Sequence, residues 1–413
     1  MSMETPEMPE QKAHSTGSLP KGEGIRKNVS SRRSQGRIWQ IVLLSCTTFG
    51  IMILLTLLIR IVDQSFGYIA IQNRVDPTTL AERPLAELPQ EELLVIAQEN
   101  LSGRIIRRLE RETPLAERTQ EDLLDIIQVE VLEQEVVESW SLLESLFSRT
   151  AIEAEVREQY PRAELEFNSW LNGDFLTDSM SSVPFQAGIR TAFFGTLWMI
   201  FITMIVAFPL GVGAAIYLEE YAKDNWLNRI IQTNINNLAG VPSIIYGMLG
   251  LAIFVRVLEP ITQGRTVLSA SLTMALLILP IIIISGQEAI RAVPSSLRQA
   301  SYGLGATQWQ TIWNHVLPYA FPGILTGTIL SMSRAIGETA PLVVIGAATF
   351  ISVDPSGPFS SFTAIPIQIY NWSKDANLQF RNSAGAAIIV LLAVLLTLNA
   401  TAIILRNRLR RSL

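Results

Sequence analysis

Six apolar runs limit what this chain can fold into. The first is Ile38–Val62, and others lie at 187–217, 228–257, 266–286, 319–350 and 383–405. A helix needs about 20 apolar residues to cross a hydrocarbon core about 30 Å thick. Only a helix or a closed barrel satisfies its backbone polar groups there. The runs are continuous rather than alternating, which selects helices. The expected class is an all-α polytopic membrane protein with six transmembrane helices. Charged residues make up 17% of the chain, against about 25% in soluble domains.

Orientation follows from the basic residues. Lys21, Arg26, Lys27, Arg32, Arg33 and Arg37 precede the first run, and Arg406, Arg408, Arg410 and Arg411 follow the last. The positive-inside rule puts both ends in the cytoplasm, and an even number of crossings agrees. The first run is too long for a signal-peptide core and has no small-residue cleavage pattern after it. Five segments are expected. Residues 1–37 form a disordered basic cytoplasmic tail and 38–62 the first transmembrane helix. Residues 63–185 form an external insert. Residues 186–405 hold five more helices with a cytoplasmic loop at 287–318, and 406–413 form a basic cytoplasmic tail. The expected location is the plasma (inner) membrane.

The insert is acidic and echoes itself. PLAELPQEELLVI at 84–96 recurs as PLAERTQEDLLDI at 114–126. In each copy a proline leads into charged residues and an apolar pair, as at a helix start. Two or three amphipathic helices are expected, forming a small helical domain that covers a partner surface. Cys46 is the sole cysteine, and His14 and His315 are far apart in sequence. Neither a disulfide nor a metal cluster is expected. There is no G-x-x-x-x-G-K-[ST] phosphate loop, so no ATP chemistry, cofactor or nucleic-acid partner is expected of this chain.

The fifth run carries two full charges, in SMSRAIGETAPLVVIGA at 331–347. If the helix begins near Tyr319, Arg334 lies roughly 20 Å deep, near or past the midplane. A charge there costs at least about 2.5–3.5 kcal/mol, so it faces a bundle interior or an aqueous path. Arg334 and Glu338 share a face at i and i+4. They are either a self-neutralising structural pair or part of an anion pathway. Pro341 crowds the carbonyl of Gly337, so the helix should break at Gly337–Pro341, beside the charges. Broken helices at membrane depth line cavities and bind ions with their ends. In the third run, Asn234, Asn236 and Asn237 either line such a path or hydrogen-bond between helices. Gly240, Pro242 and Ser243 shape that helix. Arg190 is expected at headgroup level, and Glu219 and Glu220 at a solvated helix end.

The loop RQASYGLGATQWQTIWNHVLP at 298–318 has helical spacing and a pair of tryptophans. It resembles the EAA motif of ABC-importer permeases: EAA, three residues, Gly, nine residues, then I-x-L-P. The matching residues are Gln299, Ala300, Ser301, Gly305, His315, Leu317 and Pro318, with Gln299 at the acidic position and His315 at the Ile position. YLEEYA (217–222), GVPSIIYG (240–247), EAIRAVP (288–294) and SRAIGETAPL (333–342) are similar to the PstA type of the phosphate-specific (Pst) permeases. This resemblance covers about 185–413. It implies a MetI-like type I importer fold, a phosphate cargo and a coupling helix at 287–318. It also implies three partners: a second permease (PstC type), an ATPase dimer (PstB type) carrying ATP and Mg, and an external phosphate-binding protein (PstS type). Phosphate at neutral pH keeps an O–H donor and sulfate has none. Arg334 can therefore attract the anion while an ionised Glu338 accepts a hydrogen bond from that O–H and repels sulfate. Three alternatives stand beside this reading. The cargo can be another oxyanion. The chain can be chiefly a signalling subunit acting through its insert. Or it can be an ion-gradient transporter using Glu338 as a proton relay.

Overall fold

The computed structural model describes residues 23–411, apart from 76, 82, 86–87, 113, 128–130, 133, 349 and 378. The chain divides at Arg60/Ile61 into two units. The first is the greater part of helix α1 (Glu23–Ser65). Its stretch Gln35–Ser65 is long and apolar enough to cross a membrane. The helix starts well before the apolar run. Residues 23–37, expected as disordered tail, are therefore helical. Once a helix is nucleated, each added residue gains a hydrogen bond, and no proline interrupts this stretch. Residues 1–22 of the expected tail lie outside the described residues.

The second unit begins with a feature absent from the sequence expectation. The insert is not helical throughout. Strand β1 (Phe66–Asn73) leaves α1 directly and becomes the centre of an antiparallel sheet of order β2-β1-β3. Helices α2 (Gln90–Asn100), α3 (Gly103–Glu112) and α4 (Gln120–Ile126) follow β1. Then come β2 (Gln134–Ser139), α5 (Leu142–Phe147), α6 (Arg149–Gln159), β3 (Glu164–Ser169) and α7 (Gly173–Thr177). The strands are short, and β2 and β3 carry glutamates among apolar residues, which hides the period-2 signal. Ile69 faces Ser139 on one side and Glu166 on the other, and is buried with Val136 and Trp170.

The echo at 84–96 and 114–126 is a local two-fold. Gln90 Nε2 donates to the Arg118 carbonyl (2.7 Å), and Gln120 Nε2 donates to the Leu88 carbonyl (2.9 Å). Equivalent residues of the two copies thus exchange equivalent bonds. Leu85, Leu93, Leu115 and Leu123 from both copies share one small core. Neither copy can bury its apolar face alone, so the pair is the folding unit.

The remaining helices form the membrane bundle. They are α8 (Arg190–Ile216), α9 (Trp226–Ala239), α10 (Ser243–Gly250), α11 (Glu259–Thr262), α12 (Val267–Arg291) and α13 (Ser295–Gly303). After them come α14 (Gln308–Thr311), α15 (Leu317–Gly337), α16 (Ala340–Ile345), α17 (Ile365–Ser373) and α18 (Phe380–Arg411). π turns extend α8 to Tyr221, extend α10 to Val257, and join α14 to α15. Helix α12 is the axis, packed by α8, α15, α10 and α9. Small residues allow the approach: a Cβ on Gly286 would sit 2.8 Å from Cβ of Ala215 in α8. Among the described residues, and including α1, five helices are long and apolar enough to cross a membrane, or six where the bent pair α9–α10 counts as one crossing.

Two expectations hold and two boundaries differ. The fifth run breaks after Gly337, where Pro341 was expected to break it, and resumes as α16. The loop 287–318 is helical as expected, with α12 continuing to Arg291, then α13, then a helical run from Gln308. The third run is not one rod, because α9 and α10 meet at 105°. Gly240 ends α9, and Pro242 has no N–H with which to continue it. The basic end 406–413 continues α18 as far as Arg411.

Candidate functional site

Two helix breaks meet in the bundle. The first lies at Glu338, whose extended backbone (φ −81°, ψ 116°) follows the last residue of α15. Pro341 then sits in the first turn of α16, where its missing N–H costs nothing. The second break is the Gly240–Pro242 turn between α9 and α10. The helices that follow the two breaks touch at Gly247 of α10, where a Cβ would lie 2.7 Å from Cα of Pro341 in α16. Nearby, the buried Tyr246 hydroxyl donates to the Leu238 carbonyl (2.7 Å), which lies in the last turn of α9 and also accepts from the Val241 N–H (3.1 Å). Tyr246, Ala335 and Leu342 share one core. Segments 240–247 and 333–342, distant in sequence, are thus one structural object.

Arg334 and Glu338 lie on the rim of this object. Arg334 Nε is 3.4 Å from Glu338 Oε1, with the side chains 45% and 21% exposed. That contact is long and uses one donor. The other guanidinium donors make no hydrogen bond among the described residues. The fork can therefore take an oxyanion without first breaking a tight pair. Next to it, the Ser333 hydroxyl lies 2.6 Å from Asn399 Oδ1 and ties α15 to α18. Gly337 is exposed and Pro341 buried.

Asn234 and Asn237 are exposed on α9. Asn234 Nδ2 bonds the Ile230 carbonyl of its own helix (2.8 Å). Among the described residues neither amide bonds Arg334 or Glu338. The amide that crosses between helices is Gln232. It exchanges reciprocal bonds with Gln287 of α12 (3.1 and 2.8 Å), and Gln287 is buried. Gln287 was legible as the amide that follows the apolar stretch of α12, but its partner was not.

At the far end of α12, helix α13 presents Gln299 and Ala300 to solvent, while Ser301 is buried and pairs with Thr311 (2.8 Å). Gly305 takes a left-handed φ of 85° that reverses the chain. Thr307 and Gln310 close a capping box. Leu317 and Pro318 are half-buried as α15 begins. The exposed face is apolar: Leu304 is 90% exposed, and Trp309 and Trp313 stack at 5.5 Å. Such a patch suits either a partner surface or the membrane interface.

Glu219 and Glu220, expected as solvated, instead clamp this element. Arg298 pairs with Glu220 at 2.7 Å, the side chains being 20% and 7% exposed. Arg298 also donates to the Val293 and Ile290 carbonyls. Arg291 binds both Glu219 oxygens (3.0 and 2.9 Å). The adjacent acids at 219–220 and the arginines at 291 and 298 lie too far apart in sequence for spacing to connect them. At the opposite end, Arg190 is likewise paired. It reaches Asp354 (2.9 Å), whose other oxygen accepts from Thr191 (2.7 Å).

The bundle thus sets a broken helix carrying a loosely paired arginine at one level and a clamped amphipathic helix at its end. Residues 207–413 match the family described as the inner membrane component of binding-protein-dependent transport systems, and the chain belongs to that family. A probable ABC transporter permease, YqgI of Bacillus subtilis, is 31% identical over 246 residues, covering 56% of this chain and 83% of that protein. Phosphate transport system permease protein PstA 1 of Mycobacterium tuberculosis is 36% identical over 226 residues, covering 54% of this chain and 71% of that protein. A solved chain of the MetNI methionine transporter, in an inward-facing conformation, aligns with a TM-score of 0.43 at 18% identity, covering 54% of this chain and 95% of that one. The protein is a multi-pass permease subunit of an ABC importer.

Proposed function

We propose that this subunit forms part of the path for inorganic phosphate in an ATP-driven importer of the plasma (inner) membrane, with both ends of the chain in the cytoplasm. The carrying observation is Arg334: a half-exposed guanidinium beside a helix break, held loosely by one carboxylate. The phosphate-transport names of its relatives support the same cargo. Arg334 supplies the planar fork that fits an oxyanion edge, and Glu338 accepts the O–H that phosphate retains. Sulfate meets the same arginine but repels the carboxylate. A dianion is incompletely neutralised by one such arginine, so a second permease subunit (PstC type) is expected to add another.

Energy arrives from outside the chain. An ATPase dimer (PstB type) holds ATP and Mg and grips the Leu304–Trp313 face. Its closure moves α13, and the Glu220–Arg298 clamp carries that motion into α8 and α12. A phosphate-binding protein (PstS type) delivers the cargo from the insert side. Labelled-anion competition in proteoliposomes holding the assembled complex tests the cargo. Phosphate should compete with labelled phosphate and sulfate should not, while Glu338→Gln should let sulfate compete. Unchanged sulfate rejection in Glu338→Gln would remove the proton-reading role from that carboxylate.

A further inference from the structure

We propose that Arg265 is a second anion station, lying on the insert side of Arg334 and feeding it. This rests on the anion-pathway reading above and adds a residue to it.

The backbone presents Arg265 in an unusual way. Helix α11 ends in Gln263 (φ 60°, ψ 30°) and Gly264 (φ 85°), two successive left-handed residues. A left-handed glutamine is disfavoured by its Cβ, so the turn persists because its surroundings hold it. Thr262 Oγ1 donates to the Phe254 carbonyl (2.6 Å) and Thr266 Oγ1 to the Thr262 carbonyl (2.7 Å). The Ser269 hydroxyl donates to the Gly264 carbonyl. Arg265 therefore projects from a clamped turn.

Its side chain lies over Gly346, the left-handed residue that closes α16 (φ 89°). A Cβ on Gly346 would stand 2.9 Å from Nε of Arg265 and 3.0 Å from Cζ. The guanidinium end thus rests against the side-chain-free face of Gly346 while the residue stays exposed. Among the described residues the guanidinium has no hydrogen bond or ion pair. Glu259 of α11 does not pair with it. Arg190, which also belongs to the insert side, is neutralised by Asp354.

The surrounding donors are already used. The first amides of α12 go to Ser360 (Val267, 3.0 Å), Pro358 (Leu268, 2.8 Å) and Thr266 (Ser269 and Ala270). An anion arriving at this turn finds the arginine, with the positive end of α12 behind it. Only the short helix α16, about 9 Å long at 1.5 Å per residue, separates Gly346 from the break at Glu338. Conduction through a site needs stations strong enough to fill and weak enough to empty. Two spaced arginines, neither tightly paired, meet that need.

The test is phosphate uptake by the assembled complex in proteoliposomes, with the binding protein titrated to saturation. Arg265→Gln should lower the maximal rate about fivefold, the effect of one unit charge on a dianion at this range. The binding-protein concentration at half-maximal rate should not move, and ATPase co-purification should be unchanged. Arg265→Lys should restore the rate to within about twofold, since the charge rather than the fork is needed. On a Cys46→Ser background, Arg265→Cys treated with aminoethyl methanethiosulfonate should recover, and the sulfonatoethyl reagent should slow it further. Equal effects of the two reagents would overturn the proposal. So would a change confined to the half-maximal binding-protein concentration, which would make Arg265 a docking contact. A wild-type complex that takes up no phosphate would overturn the cargo reading and this inference with it. A transporting wild type with an inert Arg265→Gln would overturn the inference alone.

Discussion

Replacing Glu220 by Gln should loosen helix α13 far more than the same change at Glu219. The two acids are neighbours in sequence, and each holds one arginine. Glu220 is 7% exposed and its partner Arg298 20%, so the pair is largely out of water. Removing one partner of a fully buried pair costs about 3–5 kcal/mol. Residual exposure and the amide oxygen of Gln reduce that to roughly 2–3 kcal/mol. Glu219 is 18% exposed, but Arg291 is 68% exposed, which puts that pair with surface bridges worth about 0–1 kcal/mol. Native-state hydrogen exchange of residues 295–307 reads the difference. At about 1.4 kcal/mol per tenfold, Glu220→Gln should speed exchange there roughly 30- to 150-fold, and Glu219→Gln less than about fivefold. Equal acceleration by the two variants would refute the reasoning, because burial would then not set the strength of the clamp.

Two further outcomes are expected. Gly247→Ala puts a Cβ 2.7 Å from Cα of Pro341, so thermal unfolding in detergent should show a loss of about 1–3 kcal/mol; an unchanged transition would mean the breaks do not pack as described. Burial and the neighbouring Asp174 hold the Asp178 carboxyl above its ordinary range, against the pull of Arg190. Its stabilisation is complete below the unfolded pKa and is lost as pH rises through the folded one. Asp178→Asn should therefore raise the transition temperature at neutral pH and lose that gain in acid, which melting curves across pH will show.

The apolar runs made the crossings legible because every backbone group in lipid must be bonded within its own segment. Their ends were less legible. The stop at Gly337 is encoded by Pro341 and the break at Gly240–Pro242 by its glycine and proline, but the 105° angle between α9 and α10 is not written in those residues. The sheet in the insert was hidden because β2 and β3 hold glutamates at solvated positions. The echo at 84–96 and 114–126 was visible, yet the exchange between Gln90 and Gln120 that explains it is tertiary. The i, i+4 spacing of Arg334 and Glu338 gave their adjacency from the sequence. The clamps at Glu219, Glu220, Arg190 and Gln287 did not show, because each joins residues dozens of positions apart.

The central claim is that Arg334 handles the transported anion. The most direct measurement is labelled-phosphate uptake by the assembled complex, comparing wild type with Arg334→Gln after equal ATPase pull-down. Loss of a charge-assisted contact worth about 1.5–3 kcal/mol predicts a fall of roughly 10- to 150-fold. Uptake at the wild-type rate in an intact complex would contradict the claim and leave Arg334 and Glu338 as a structural pair.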